Sequence, residues 1–362
     1  ATDVAGSHGG VLQLFCLDVS QRVACLVNRL VTLDDYERAA RPKFKRAAWE
    51  YVNGGAADEH TLRRNREAFN RITLAPRMLR DVSRLDTTVR LFGATLPHPI
   101  MLAPVAAHVL AHRSAEVGSA RGAEASGAGM VLSSYTSRTV EKVPAEGPGP
   151  PWFQLYMQER AATRDLVSQV VAAGCTAVCI TVDTPTAGPR DRQARAGFDW
   201  PSGLPYRTVQ PGDNPITWAD VEWIRRAVKV PVILKGILHP DDAQLAVDNG
   251  AAAIVVSNHG GRNLDTAPAT IDALPRVADR IGGKIPVLFD GGIRRGTDVF
   301  KALAFGATAV MIGRPYVYGL AVGGAHGVAS VVNILKTELE QAMALCGVTR
   351  LAAISRHYIW RD

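Results

Sequence analysis

Eight short apolar runs strung between residues 99 and 314 constrain this chain more than any other feature: PIMLAPV, GMVLSS, PWFQLYM, AVCITVD, PVILKG, AAIVVSNH, PVLFDGGI and AVMIGR. Each is bounded by turn residues, and the spacers between them, such as SAEVGSARGAEASGA and HPDDAQLAVDNG, have helical, Ala-rich composition. Strands that read as continuous apolar runs are buried on both faces, the situation of a parallel sheet covered by helices. Eight such β-α units close into a barrel. An open doubly wound sheet is the rival, but it needs no count of eight and would carry a glycine-rich dinucleotide turn. No G-x-G-x-x-G occurs in the chain. The predicted fold is therefore α/β, a TIM (β/α)8 barrel over residues 31–362, preceded by a helical extension over residues 1–30.

Upstream of the barrel, Thr32 with Asp34 and Asp35 predicts a helix start, and the helix is expected to run through YERAARPKFKRAAWEYVN, despite Pro42, to Gly54 and Gly55. Tyr51 falls in its last turn. DEHTLRRNREAF reads as a second helix, followed by irregular chain to Leu96.

The polar residues fall where a barrel keeps its chemistry. Ser133 and Ser134 end the second run, Gln154 and Tyr156 lie in the third, Thr181 and Asp183 close the fourth and Lys235 the fifth. Ser257 and His259 follow on the sixth, Asp290 with Gly291 and Gly292 on the seventh, and Gly313 with Arg314 on the eighth. Polar groups in apolar strands are costly unless hydrogen-bonded, so their recurrence at C-terminal strand ends predicts an active site there. A ring this wide suits a large planar polar cofactor. DGGIRRG and IGRP place small residues and cations where barrels hold a phosphate, with Arg294 and Arg314 as side-chain partners and Arg295 equally a solvated neighbour. Spacing leaves open whether that phosphate belongs to a cofactor or to a substrate ester.

The sixth run ends in SNHGGR, where His259 and Arg262 are a base and an anion-binding cation, or else a core histidine and a surface arginine. The continuation decides between them. SNHGGRNLDTAPATIDALP resembles the signature of the FMN-dependent 2-hydroxy acid oxidases and dehydrogenases, the family of glycolate oxidase, lactate oxidase and mandelate dehydrogenase, and the resemblance extends from about Thr32 to Trp360. It implies FMN, with Ala103, Pro104, Val105 and Ala106 facing the flavin's reactive edge and Ser133, Gln154 and Thr181 bonding its ring. Lys235 and Ser257 belong to the same set, Asp290 matches the ribityl ligand, and Gly291, Gly292, Arg294, Gly313 and Arg314 surround the phosphate. On the substrate side it implies Tyr51, Arg190 and Arg262 as carboxylate binders, Tyr156 as partner of the substrate hydroxyl, His259 as base and Asp183 as its orienting carboxylate. Tyr135, in LSSYTS, resembles lactate oxidase, where glycolate oxidase has tryptophan.

The activity so implied is oxidation of an (S)-2-hydroxy acid to the 2-oxo acid, with dioxygen as acceptor and hydrogen peroxide as by-product. The neighbouring alternative is a dehydrogenase passing electrons to a quinone or carrier protein; a flavin-free barrel isomerase or synthase acting on a phosphate ester is a third. The family also implies a homotetramer. A net charge of +7 without a basic run argues against nucleic acid and suits an anionic small molecule. Five cysteines, Cys16, Cys25, Cys175, Cys179 and Cys346, lack any C-x-x-C pairing, so neither a disulfide framework nor a zinc site is expected, and the composition suits a reducing cytoplasm. No span of about 18 unbroken apolar residues is read, so no membrane crossing is expected. Between Arg190 and Pro231 the chain is shorter than in glycolate and lactate oxidases, whose longer excursion covers the site. The trimmed segment predicts a more open pocket, with Tyr206 or Trp200 as candidate partial covers.

Overall fold

The computed structural model describes Val27 and residues 29–145, 151–206 and 215–360. The N-terminal extension read in the sequence, apart from Val27, Arg29 and Leu30, and residues 207–214 of the trimmed segment lie outside the described residues.

The eight apolar runs become eight parallel strands of a closed barrel. In chain order they are β1 (Ile100–Leu102), β2 (Gly129–Ser133), β3 (Trp152–Leu155), β4 (Val178–Thr181), β5 (Val232–Ile237), β6 (Ala253–Val256), β7 (Val287–Asp290) and β8 (Ala309–Ile312). Each strand pairs with its sequence neighbour and β8 closes onto β1. The side-chain period of two sorts each strand into an inner and an outer row. Met101, Val131, Trp152, Cys179, Ile233, Val255, Leu288 and Met311 fill the barrel. Their neighbours Leu102, Leu132, Phe153, Ile180, Leu234, Ile254 and Phe289 join the outer core with the surrounding helices. Register sets the polar layer: Ser133 pairs with Gln154 and Thr181 with Lys235, so groups distant in sequence stand at adjoining positions of the wall.

Thr32 and Asp35 form the predicted capping box. The predicted continuous helix is corrected to two, Leu33–Ala40 and Arg46–Asn53, with a 3-10 turn at Arg41–Lys43 and extended backbone at Phe44. Pro42 is the cause: it has no N–H to give and its ring crowds the preceding turn. The second helix spans His60–Asn70. The stretch read as irregular to Leu96 contains an antiparallel pair, Val89–Leu91 with Ala94–Leu96. Val89 and Leu91 join the inner core and Phe92 meets Trp152 at 5.4 Å, so the pair stoppers the barrel's N-terminal end.

Helix Arg314–Leu345 is long and apolar enough to cross a membrane by length and composition, a feature the sequence reading did not single out. Its apolar surface is instead largely buried in the fold, packed chiefly on helix Ala115–Ser126, and its axis breaks at Gly323 and Gly324. At the break the two halves approach so closely that a Cβ on Gly327 would stand 2.0 Å from the Gly319 carbonyl oxygen. Gly327→Val is expected to destabilise the protein by roughly 1–3 kcal/mol or more, the cost of overpacking a site that cannot give way. A lowered midpoint in thermal or urea unfolding checks it, and an unchanged midpoint would mean the two halves separate freely.

Candidate active site

The C-terminal ends of the strands open on a cavity of about 550 Å³. Its floor and one end are lined by Ala103, Pro104, Val105, Ala106, Ser133, Gln154, Thr181, Lys235, Asp290, Gly291, Gly292, Arg294, Gly313 and Arg314. The other end is lined by Tyr51, Tyr135, Tyr156, Arg190, His259 and Arg262. Asp183 and Ser257 stand one layer back: Asp183 bonds His259, and the Ser257 hydroxyl accepts from Lys235 Nζ (3.0 Å) and from the His259 N–H (3.1 Å). Arg295 faces outward and pairs with Glu338 at 3.2 Å.

The end lined by Gly292 and Arg314 is built on close backbone approach. Gly292 has φ +89°, and a Cβ there would lie 1.9 Å from the Asn65 carbonyl, so only glycine lets helix His60–Asn70 come this near. Asn65 and Asn258 exchange amide hydrogen bonds, both 2.8 Å, tying that helix to the loop after β6. Arg314 is held by three carbonyls, Val52 (3.0 Å), Gly54 (2.9 Å) and Gly260 (3.0 Å). The helix that begins at Arg314 has no side-chain cap, which leaves its first N–H groups to an anion.

In the middle of the cavity Lys235 pairs with Asp290 at 3.3 Å, both nearly fully buried. Burial works against the ammonium, but the charges of Asp290 and Asp183 outweigh it and Lys235 stays protonated. Ser133 Oγ donates to Gln154 Oε1 (3.1 Å). Gln154 Nε2, Asp290 Oδ1 and Arg294 Nε are buried without a partner among the described residues, although such atoms are costly to leave unmet. All three residues line the same cavity. A planar amide-rich ring, a polyhydroxyl chain and a phosphate would meet them in that order, so the residues fit the cofactor that the resemblance implies.

At the far end the His259 Nδ1 lies 3.0 Å from Asp183 Oδ1. A carboxylate can only accept, so the proton sits on Nδ1 and Nε2 keeps its lone pair. Burial holds His259 below the ordinary imidazole value, with Asp183 opposing and Lys235 adding to the depression. Asp183 is pushed up by burial, but the charge and hydrogen bond of His259 and the Lys235 charge bring it below the usual carboxylate range. Tyr156 is raised, first by burial and then by the Asp183 charge, so it remains a phenol that can donate. Arg262 Nη1 donates to the carbonyls of Tyr51 (2.7 Å) and Gly54 (2.8 Å), and its guanidinium lies 5.0 Å from the Tyr51 ring centre. Burial, and next the Arg190 charge, bring Arg262 down to about 9, the mark of a site with cations in excess. Arg190 Nε reaches the Arg262 carbonyl at 3.4 Å.

The described part of the trimmed segment brings two aromatics to the cavity. Phe198 stacks on Tyr51 (4.4 Å, 9°), and Trp200 stands edge-on to both Tyr51 (5.0 Å) and Tyr135 (5.3 Å). Tyr206, the other candidate cover, is turned away: its hydroxyl accepts from the Val140 N–H at 2.9 Å and its ring meets Phe153. Sequence reasoning missed Phe198, Gln193 and Asn65 among the lining residues. An aromatic in a polar loop was the only signal for Phe198; Asn65 gave none.

Comparison with known proteins matches residues 40–361 to the FMN-dependent dehydrogenase family. The chain is 45% identical over 356 residues to L-lactate oxidase of Nostoc sp. (strain PCC 7120 / SAG 25.82 / UTEX 2576), covering 91% of this chain and 98% of that protein. It is 41% identical over 355 residues to glycolate oxidase 3 of Oryza sativa subsp. indica, covering 92% and 97%. Among solved structures, a mandelate oxidase superposes with a TM-score of 0.88 at 39% identity, covering 92% of this chain and 98% of that one. A mandelate oxidase variant bound to (S)-mandelic acid gives 0.87 at 40% identity, with the same coverage. The chain thus belongs to the FMN-dependent dehydrogenase family and is an FMN-dependent 2-hydroxy acid oxidase.

Proposed function

We propose that this enzyme oxidises (S)-2-hydroxy acids carrying an aromatic or other bulky side chain, with His259 as base and Arg190 and Arg262 as the carboxylate clamp. Per turnover, the acid and dioxygen give the 2-oxo acid and hydrogen peroxide. The observation that carries this reading is the convergence on one cavity of a histidine with a free Nε2 and two arginines held by backbone carbonyls rather than by carboxylates. A guanidinium already paired to a carboxylate would have little left for a second anion. Here the forks of Arg190 and Arg262 can take the substrate carboxylate, with the directional fit that lysine lacks. Tyr156, kept a phenol, hydrogen-bonds the substrate hydroxyl. His259 Nε2 takes a proton from the substrate, and Asp183 steadies the ring and the positive charge it gains. FMN, when bound, would supply the two-electron acceptor. Gln154, Asp290, Arg294 and Arg314 would hold that group, and the Phe198 and Trp200 cover excludes water.

His259→Ala is expected to keep a folded, yellow protein in which substrate bleaches the flavin about 10²–10⁴-fold more slowly. In the parent, kcat/KM is expected to be level at neutral pH and to fall on acidification only below the ordinary imidazole pKa of 6.5, since burial depresses His259 and protonation removes the base. Bleaching within a few-fold of the parent in stopped-flow would assign the base elsewhere.

Arg190→Met removes one fork of the clamp. A charge-assisted bond to a carboxylate is worth roughly 1.5–3 kcal/mol, so kcat/KM should drop about ten- to hundred-fold. Normal oxidation by the variant would leave Arg190 as a loop residue.

Tyr51, Tyr135, Phe198 and Trp200 form an aromatic enclosure that a large side chain can bury itself against, at roughly 25 cal/mol per Å² of apolar surface, and a small one cannot. Comparing kcat/KM for glycolate, lactate, 2-hydroxyoctanoate and mandelate, with peroxide as the readout, tests substrate and acceptor together. The larger acids are expected to lead; a clear preference for glycolate or lactate would overturn the substrate reading.

A further inference from the structure

We infer that Arg192 is a positioning residue for substrate capture, the clasp that fastens the mouth segment to the helix carrying Tyr51. Its place in the fold is a short helix, Asp191–Arg195, between one residue that reaches the site and two that cover it. Arg190 is the N-cap of that helix, while Phe198 and Trp200 follow it. A helix of one turn and a half does not hold itself together in water, so its position is set by what it is tied to.

The tie is ionic and two-pronged. Arg192 Nε donates to Glu50 Oε2 at 2.6 Å, and Nη1 lies 3.2 and 3.3 Å from the two oxygens of Glu59. Glu50 immediately precedes Tyr51 in helix Arg46–Asn53, and Glu59 Oε1 also accepts the Gly55 N–H at 2.7 Å. The side chains of Arg192, Glu50 and Glu59 are 36%, 22% and 17% exposed, so the pairs are screened less than ordinary surface pairs. A backbone bond from Ala57 N–H to the Pro189 carbonyl (2.9 Å) pins the segment just upstream. Downstream, Arg195 pairs with Asp191 and the Phe198 N–H donates to the Gln193 carbonyl, both within the segment itself. The Arg192 pairs are the ionic tie between the segment beyond Pro189 and the chain around Tyr51, beside the Arg190 contact with the Arg262 carbonyl and the packing of Phe198 and Trp200 on Tyr51.

The consequence follows from population arithmetic. Only the clasped segment presents Arg190 beside Arg262 and lays Phe198 on Tyr51, so apparent affinity scales with the clasped fraction. Chemistry inside a clasped complex is untouched, because Arg192 does not line the cavity. The inference rests on the reading of Arg190 as a carboxylate binder, and the test separates the two.

Arg192→Gln holoenzyme is expected to show about a tenfold or greater rise in KM for mandelate with kcat within about threefold of the parent and FMN content unchanged. Arg192→Lys, which keeps one charge, should recover part of the loss. In a Phe198→Ala background, Arg192→Gln should add little, since both act through the same cover. If Arg192→Gln does not accumulate as holoenzyme, Glu59→Gln cuts one prong and should raise KM in the same way. A KM within about twofold of the parent, or a fall in kcat that accounts for the whole loss, would overturn the clasp. A raised KM in Arg192→Gln beside normal kinetics in Arg190→Met would uphold the clasp and dismiss Arg190 from the carboxylate site; the reverse pattern would overturn the clasp alone.

Discussion

The site depends on the exposed carbonyls at the C-terminal end of helix Arg46–Asn53. The last carbonyls of a helix have no partner within it and carry the negative end of its dipole. Here Tyr51, Val52 and Gly54 turn theirs toward Arg262 and Arg314, which share the Gly54 oxygen. Dipoles can hold a guanidinium without neutralising it, whereas a carboxylate would cancel it. Two cations that line the cavity are thereby fixed on one carbonyl oxygen. Tyr318 steadies the same helix, donating to the Asn53 side chain and packing on Trp49 at 5.8 Å. Pro42 contributes indirectly, since the break it forces frees the second helix to end at the barrel mouth.

Buried charge in the barrel is tolerated for what it does to a ligand. The Lys235 and Asp290 pair sits beneath the cavity with Ser257 and Asp183 nearby, and a buried ion pair is in general weak evidence for stability. The Asp290 oxygen turned away from Lys235 has no partner among the described residues, and neither has the Gln154 amide nitrogen. A fold selected for stability alone would have met or removed these atoms. Their cost is offset when a polar group with matching donors and acceptors lies across them, so binding of FMN and stability of the protein are coupled.

How much of this was legible in the sequence differs by element for physical reasons. The strands were, because a strand buried on both faces needs a continuous apolar run and the barrel needs eight of them. The short pair at Val89–Leu91 and Ala94–Leu96 was not, since three residues of alternating burial carry too little pattern to stand out. Residues that touch the ligand space from strand ends, such as Gln154, Lys235 and His259, were found because a polar group in an apolar run is conspicuous. The distinction between touching and supporting was invisible: Asp183 and Ser257 occupy similar sequence settings but act through His259 and Lys235. Asn65 sits in a polar helix where one more amide says nothing, and only the fold brings it to Asn258. The cover was half legible, as Trp200 does fold over the mouth while Tyr206 serves the outer wall and Phe198 completes the enclosure.

His259 is a bulky side chain that the fold holds on a strained backbone. Its φ is +57°, in the left-handed region that glycine occupies without penalty, and Gly260 and Gly261 continue the same turn at +62° and +73°. Glycine at position 259 would relieve a cost of order 1–3 kcal/mol, yet the chain keeps a bulky imidazole there. The surroundings hold it: the Ser257 hydroxyl accepts its N–H at 3.1 Å, and Asp183 receives Nδ1. Both partners belong to the tight polar layer that Lys235 organises, so relaxing the turn would break bonds at three strand ends at once. The gain is directional. A sharp left-handed turn right after β6 lifts the ring off the strand and into the cavity, where Nε2 stands free while the other nitrogen is fixed. An extended residue at the same position would continue the strand and carry the imidazole away from the ligand space.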